Sequence, residues 1–340
     1  MKKIIAMLLA LMLVLGLVAC GSTNEPAAQE PAKTEAPAEK PAEQPAAEAQ
    51  YTIGISQLVQ HVALDAATEG FIAAVNETMG EGVVEFDVQN ASNDTNVCAT
   101  IATSFVAQGV DLIMANATPA LQAAANATLE IPILGTSVTE YGVAMGIENF
   151  SGTVGGNISG TSDLAPLNEQ AAMLIELFPE AKNVALVYCS AEANSQYQVD
   201  VVKAELEAKG LTAELYPFSD SNDLAQVTTA ACQFADVIYV PTDNTVASAT
   251  GTIDGIARPA GVPIIAGEEG ICSGCGVATL SISYYDLGYA TGLMACKILK
   301  GEADIATMPI EYAPQFTKKY NTEIAAELNV TIPADYTAIG

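Results

Sequence analysis

The feature that most constrains this chain is a rhythm. Short runs of β-branched and apolar residues alternate with longer Ala- and Leu-bearing stretches of helical spacing, and the series occurs twice. The first set of runs is 51–55, 83–88, 111–115 and 131–134. After Gly152 it restarts with 184–188, 212–216, 237–240, 263–266 and 278–282, with helices predicted over 193–209 and 221–234. Short continuous apolar strands divided by helices belong to parallel sheets covered on both faces. Two such series predict an α/β fold of two doubly wound lobes with parallel central sheets.

In sheets of this kind the loops leaving the C-terminal strand ends converge on a crevice where ligands bind. In the first half these loops carry Ser56, Gln57 and His61, then Asn116, Ala117 and Thr118, then Thr136 and Ser137. The second half supplies Glu192 and Asn194, Thr242 and Asp243, and Glu268. Each Ser, Thr, Asn or Asp among them suits a helix N-cap as well as a ligand contact. Taken together, two facing sets of polar loops predict a binding cleft.

The chain's beginning reads differently. Lys2 and Lys3 precede an unbroken apolar run over 4–18 that closes on Ala19-Cys20-Gly21, the pattern of an export signal ending in a lipid-attachment site. The run is too short for a permanent span of the ~30 Å hydrocarbon core. The expected mature chain starts at Cys20, anchored by lipid to the outer face of the cell membrane. Residues 20–50 are rich in Pro, Ala and Glu, and from Gly21 onward they carry no Val, Ile, Leu, Phe or Tyr. Such a segment cannot bury enough apolar surface to offset its ordering entropy and reads as a tether.

Charge and chemistry narrow the function. Outside leader and tether, 34 acids face 8 bases, a balance that repels nucleic acid and anionic headgroups. None of those bases falls on the strand-end loops, so a phosphorylated or strongly anionic solute lacks a charged partner there. A zwitterion fits better. Its ammonium can meet Glu192, Asp243, Glu268 or Glu269, and its carboxylate the N–H groups and hydroxyls near Ala117, Thr118, Thr136 and Ser137. The single histidine, His61, cannot assemble a catalytic or zinc constellation, so neither enzyme activity nor a metal or cofactor is expected. The Gly-rich stretch 152–156 lacks the Lys-Ser/Thr of a phosphate loop and reads as an inter-lobe crossing free to bend. Cys272-Ser273-Gly274-Cys275 is one C-x-x-C without a second pair. With the scattered Cys98, Cys189, Cys232 and Cys296 it reads as buried small hydrophobes, with room for one disulfide.

Several ordered motifs carry a family resemblance: Gly54-Ile55-Ser56-Gln57 with His61-Val62-Ala63-Leu64-Asp65, Asn116-Ala117-Thr118-Pro119-Ala120, Gly135-Thr136-Ser137-Val138-Thr139, Gly160-Thr161-Ser162-Asp163, Pro241-Thr242-Asp243-Asn244 and Tyr284-Tyr285-Asp286-Leu287-Gly288-Tyr289. Across 51–340 the chain resembles ABC-importer substrate-binding proteins of the tryptophan/tyrosine type. The resemblance implies a type I periplasmic-binding-protein fold whose lobes are joined by a three-segment hinge, here near 150–157, 281–285 and 311–316. One lobe is then 51–156 plus about 283–312, and the other 157–282 plus about 313–340. It also implies a monomer that closes on an aromatic amino acid and delivers it to an ABC permease. Tyr188, Tyr197, Tyr284 or Phe150 are candidate stacking partners, and the stretch Ser159-Gly160-Thr161-Ser162-Asp163, just past the first crossing, is a candidate contact on closure, Ser159 and Thr161 foremost. A nucleoside receptor, using Asp243, Asn116 and Asn194 for ribose or base, and an exported sensor subunit are the alternatives.

Overall fold

A computed structural model describes residues 49–313 and 315–339, all within one compact unit, Ala46–Gly340. The expected leader over 1–19, lipid-bearing Cys20 and the tether up to residue 48 lie outside the described residues. Along the chain come β1 (Tyr51–Gln57), α1 (Val62–Met79), β2 (Val84–Asn90), α2 (Thr95–Gln108), β3 (Leu112–Asn116), α3 (Thr118–Ala127), β4 (Ile133–Val138), α4 (Tyr141–Met145) and β5 (Ile158–Ser162). Next are α5 (Leu167–Leu177), β6 (Asn183–Cys189), α6 (Ala193–Ala208), β7 (Thr212–Phe218), α7 (Leu224–Phe234), β8 (Val237–Val240), α8 (Asn244–Ala247) and α9 (Thr250–Ala260). They are followed by β9 (Ile264–Ala266), α10 (Glu269–Cys275), β10 (Ala278–Ser281), α11 (Tyr284–Leu299), β11 (Glu311–Tyr312), β12 (Thr317–Tyr320), α12 (Thr322–Glu327) and β13 (Thr337–Ala338).

The expected α/β architecture is present as two sheets. The first has the order β11-β5-β4-β3-β1-β2 and the second β13-β12-β10-β9-β8-β6-β7. Central strands such as β3 and β8 are buried at every residue, which is why they read as unbroken apolar runs. The first sheet is parallel throughout, whereas β12 runs antiparallel to β10, so the second sheet is mixed.

The first lobe's boundary differs from the one expected at 156/157. β5 pairs in parallel with β4, so the chain leaves the first sheet only after Ser162, and Ser159 and Thr161 belong to the first lobe. Close approach explains the pairing. A Cβ on Gly160 would collide with the backbone of Gly135, so β5 fits beside β4 only with glycine there. The stretch 152–156 is not a crossing but a turn at this sheet's edge, pinned by the Ile310 N–H donating to Gly152 O at 2.8 Å. The chain passes between sheets after Ser162, between Ser281 and Tyr284, and between Tyr312 and Thr317.

After the second passage α11 lies flat on α1, and glycines set the spacing. A Cβ on Gly288 would overlap the carbonyl of Ala67, and one on Gly70 that of Tyr285. Gly288→Val is therefore expected to force the helices apart at a cost of about 3 kcal/mol, lowering the unfolding midpoint by several degrees. A midpoint within about 1 °C of the parent would show that the two helices part freely.

Candidate functional site

The C-terminal ends of both sheets face each other across a pocket. His61 and Leu64 at the start of α1, and Ser137 and Thr139 at the end of β4, border it from the first lobe. Asn194, Thr242, Asp243, Asn244, Ala247 and Glu268 border it from the second, and Asp163 and Tyr284 from the first two crossings. The lobes are closed on one another. His61 Nε2 lies 3.2 Å from Asn244 Oδ1, and Asn93 Nδ2 donates to Thr245 Oγ1 at 3.0 Å, both across the cleft. The space left at the centre is about 10 Å³, room for one water. A solute of amino-acid size enters only when the lobes part.

Much of the polar lining is spent on the fold. Glu192 accepts from Asn244 N and Nδ2, Thr245 N and Oγ1, and Asn194 Nδ2, and so builds the second lobe's face of the pocket. Asp243 caps α8, taking Val246 N at 2.9 Å and Cys189 N at 2.7 Å, one on each oxygen. Glu268 caps α10 through the N–H groups of Gly270 and Ile271. Burial pushes the Asp243 carboxyl up to about 8, with the charge of Glu192 adding to it, and pushes Glu268 up to about 7 against the pull of its two backbone donors.

Besides Thr279 Oγ1 in β10, eight other side-chain atoms are buried without a hydrogen-bond partner among the described residues: Ser56 Oγ, His61 Nδ1, Asn116 Oδ1, Thr118 Oγ1, Ser137 Oγ, Thr139 Oγ1, Asp163 Oδ1 and Asn194 Oδ1. An unmade hydrogen bond in a buried group costs about 1–3 kcal/mol, so such a cluster is unusual unless something else supplies the bonds. Five of the eight, His61, Ser137, Thr139, Asp163 and Asn194, border the pocket. The backbone is strained beside them. Ala117 has φ 98 and ψ 157, and Ser137 φ 53, positions that L-residues rarely adopt. Strain of this kind collects at ligand sites, where the surroundings hold it in place.

Of the residues singled out from sequence, His61, Ser137, Asn194, Thr242, Asp243 and Glu268 meet at this pocket. Ser56, Gln57, Asn116, Ala117, Thr118, Thr136, Ser159, Thr161 and Glu192 do not border it. Gln57 bridges Asp65, Val59 O and Thr68, and Asn116 Nδ2 donates to Leu64 O and Thr68 Oγ1. Thr136, Thr161 and Thr291 join hydroxyls inside the first lobe, and Ser159 Oγ donates to Met308 O. Among the aromatic candidates only Tyr284 lines the pocket. Tyr188 is in the second lobe's core, with Tyr197 packed against that core and Phe150 against the first lobe's. The described cysteines, Cys272 and Cys275 included, are free thiols.

Sequence reasoning quoted Leu64, Thr139, Asp163 and Asn244 only inside motifs and did not select them. Asp163 is the most informative of these. It is buried and borders the pocket, its Oδ2 accepts from the Tyr284 hydroxyl at 2.9 Å, and its Oδ1 has no hydrogen-bond partner among the described residues. Burial raises its proton affinity, opposed by the nearby hydroxyls of Thr139 and Tyr284. The available signal was its place at the end of Gly160-Thr161-Ser162-Asp163, but a boundary set at 157 put that motif on the wrong sheet.

Known proteins share this fold. Residues 52–338 match the family model described as ABC transporter substrate binding protein. The chain is 35% identical over 314 residues, 91% of its length and 87% of the relative's, to a tyrosine-binding protein of Clostridioides difficile (strain R20291). Among solved structures it is 33% identical, with a TM-score of 0.80, to an ABC domain in complex with L-Trp from Streptococcus pneumoniae, covering 85% of this chain and 97% of that one. To the ligand-free, open structure of a substrate-binding protein with adhesive properties from Clostridium difficile the identity is 36% and the TM-score 0.65, over 85% and 99%. A leucine-binding protein of Thermotoga maritima, at 15% identity, shares the fold, with a TM-score of 0.59 over 82% and 87%.

Proposed function

The chain belongs to the ABC transporter substrate-binding proteins, and from that premise we propose that it captures an aromatic amino acid between its lobes and presents it to the importer's permease. The observation that carries the ligand class is the free Asp163 Oδ1 in a pocket that no Lys or Arg borders. A carboxylate in that position takes an ammonium. The unpartnered hydroxyl of Ser137 suits the ligand's carboxylate, and Tyr284, Leu64 and the His61 ring offer the surfaces for an aromatic side chain. The names of the two relatives, one tyrosine-binding and one bound to L-Trp, support the same class. A nucleoside fits less well, because each oxygen of Asp243 already accepts a backbone N–H, which leaves fewer lone pairs for a ribose.

Closure follows from differential contact. The bonds between His61 and Asn244 and between Asn93 and Thr245 exist only with the lobes together, and a ligand touching both faces adds to them. The higher similarity to the L-Trp complex than to the ligand-free, open relative supports reading this form as the closed one.

Thermal unfolding against L-tyrosine, L-tryptophan, L-phenylalanine, leucine, nucleosides and sugars tests the proposal. A ligand at 100 times its Kd adds about 2.7 kcal/mol, a rise of several degrees in a protein of this size. A shift confined to aromatic amino acids is expected, and one confined to nucleosides or sugars would overturn the reading. Extracytoplasmic placement by lipid on Cys20 is part of the same proposal, supported by the run over 4–18 and Ala19-Cys20-Gly21. Cys20→Ala is expected to move the protein from the membrane fraction to the soluble one, and unchanged membrane retention would refute the anchor.

A further inference from the structure

Asp163 belongs to the binding pocket and to the hinge at once. It is the first residue after the first sheet. Its N–H donates to Val138 O at 3.3 Å, on the first lobe, and its Oδ2 accepts from Tyr284 at the second crossing. Two of the three passages between the lobes are therefore tied through one side chain, which is 4% exposed, borders the pocket and has its other oxygen buried without a partner among the described residues. The carboxylates of Glu268 and Asp243 stand across that pocket, with Glu192 behind them. No Lys or Arg borders it, and the other titratable groups around Asp163 are Tyr141, Tyr284 and His61. Closing the lobes thus withdraws several carboxylates from water with no counter-charge, which is unfavourable unless a cation or a proton arrives.

We propose that Asp163 is a brake on empty closure: its uncompensated charge holds the lobes apart until a ligand's ammonium, or a proton, neutralises it. The ammonium half rests on the amino-acid reading above. The proton half does not, and it can be observed with no ligand present.

The direction of the pH effect follows from linkage. Burial raises the proton affinities of Asp163, Asp243 and Glu268 above those of solvated carboxyls, and parting the lobes returns water to the pocket all three border, so the open form lowers those affinities again and closure gains as pH falls. His61 acts in the opposite sense. Burial lowers its proton affinity despite the hydrogen bond its Nε2 donates to Asn244 Oδ1 and the charges of Glu192 and Asp65, so its protonation below about pH 6.5 opposes closure. The window is therefore bounded by the raised carboxyls above and by His61 below.

Small-angle X-ray scattering of the ligand-free protein reads the ratio of closed to open molecules directly. Between about pH 8.5 and about pH 6.5 the ratio is expected to rise about tenfold, the equivalent of one unit of proton affinity. At pH 8.5 Asp163→Asn is expected to close without ligand, whereas Asp163→Glu, which keeps the charge, stays open. An asparagine variant as open as the parent at both pH values overturns the proposal. If that variant fails to fold by circular dichroism, Asp163→Ser, which also removes the charge, is read in its place, and a ratio at pH 8.5 no higher than the parent's overturns the proposal equally. Should the parent bind no aromatic amino acid while Asp163→Asn still closes, the brake stands and the ligand assignment falls.

Discussion

Asp163→Ala is expected to weaken the binding of L-tyrosine or L-tryptophan by about a hundredfold or more. Removing one partner of a buried charge pair leaves the other uncompensated, at a cost of about 3 kcal/mol or more. Asp163 is placed to make that cost large. It is buried, its Oδ2 is fixed by Tyr284, and its Oδ1 has no other partner among the described residues. Release of the brake on closure works in the opposite direction, but it cannot replace a partner for a buried ammonium. Titration calorimetry reads the outcome, and a loss of threefold or less would place the ammonium elsewhere.

Glu192→Ala is expected to produce the second large effect, on stability before affinity. The carboxylate accepts from two backbone N–H groups, two side-chain amides and one hydroxyl, and alanine would leave Asn244, Thr245 and Asn194 without those bonds in a buried setting. A loss of about 3–5 kcal/mol is expected, lowering the unfolding midpoint by several degrees. Because Asn244 and Asn194 border the pocket, affinity should fall in the same variant. Glu192→Gln keeps the acceptor oxygen but turns one acceptor into a donor, and should fall between parent and alanine. A midpoint unchanged in Glu192→Ala would mean that this network is not what organises the second lobe's face.

The parts of this structure that were legible in sequence are those where burial alone decides the residue type. β1, β3, β6 and β8 are enclosed on both faces and therefore show as apolar runs, and the loops after them show as polar clusters. β5 was not legible. Ile158-Ser159-Gly160-Thr161-Ser162 is fully buried yet mostly polar, because its hydroxyls find partners in Thr291, Met308 O and Thr139 O, and its glycine is demanded by the backbone of Gly135. A strand satisfied by hydroxyl pairs carries no hydrophobic period, so the lobe boundary was drawn too early. Antiparallel β12, with Lys318 and Lys319, gave no apolar signal either.

The site was legible as a set of loops and not as a set of roles. Glu192, Asp243 and Glu268 looked alike in sequence as acids on strand-end loops, yet each spends its oxygens on local caps or neighbours. The acid with an oxygen to spare lies at a hinge, and only the three-dimensional accounting of donors and acceptors distinguishes it. His61, chosen from its loop and motif, does reach the pocket, but its partner Asn244 comes from the other lobe, a pairing that no local pattern encodes.

The most direct test of the account is a crystal structure of the protein with L-tyrosine or L-tryptophan. The ligand's ammonium nitrogen is expected within hydrogen-bond distance, about 2.7–3.0 Å, of Asp163 Oδ1, with its ring beside Tyr284 and Leu64 between closed lobes. A ligand whose ammonium instead faces Glu268 or Asp243, or one bound to a single lobe with the cleft open, would contradict it.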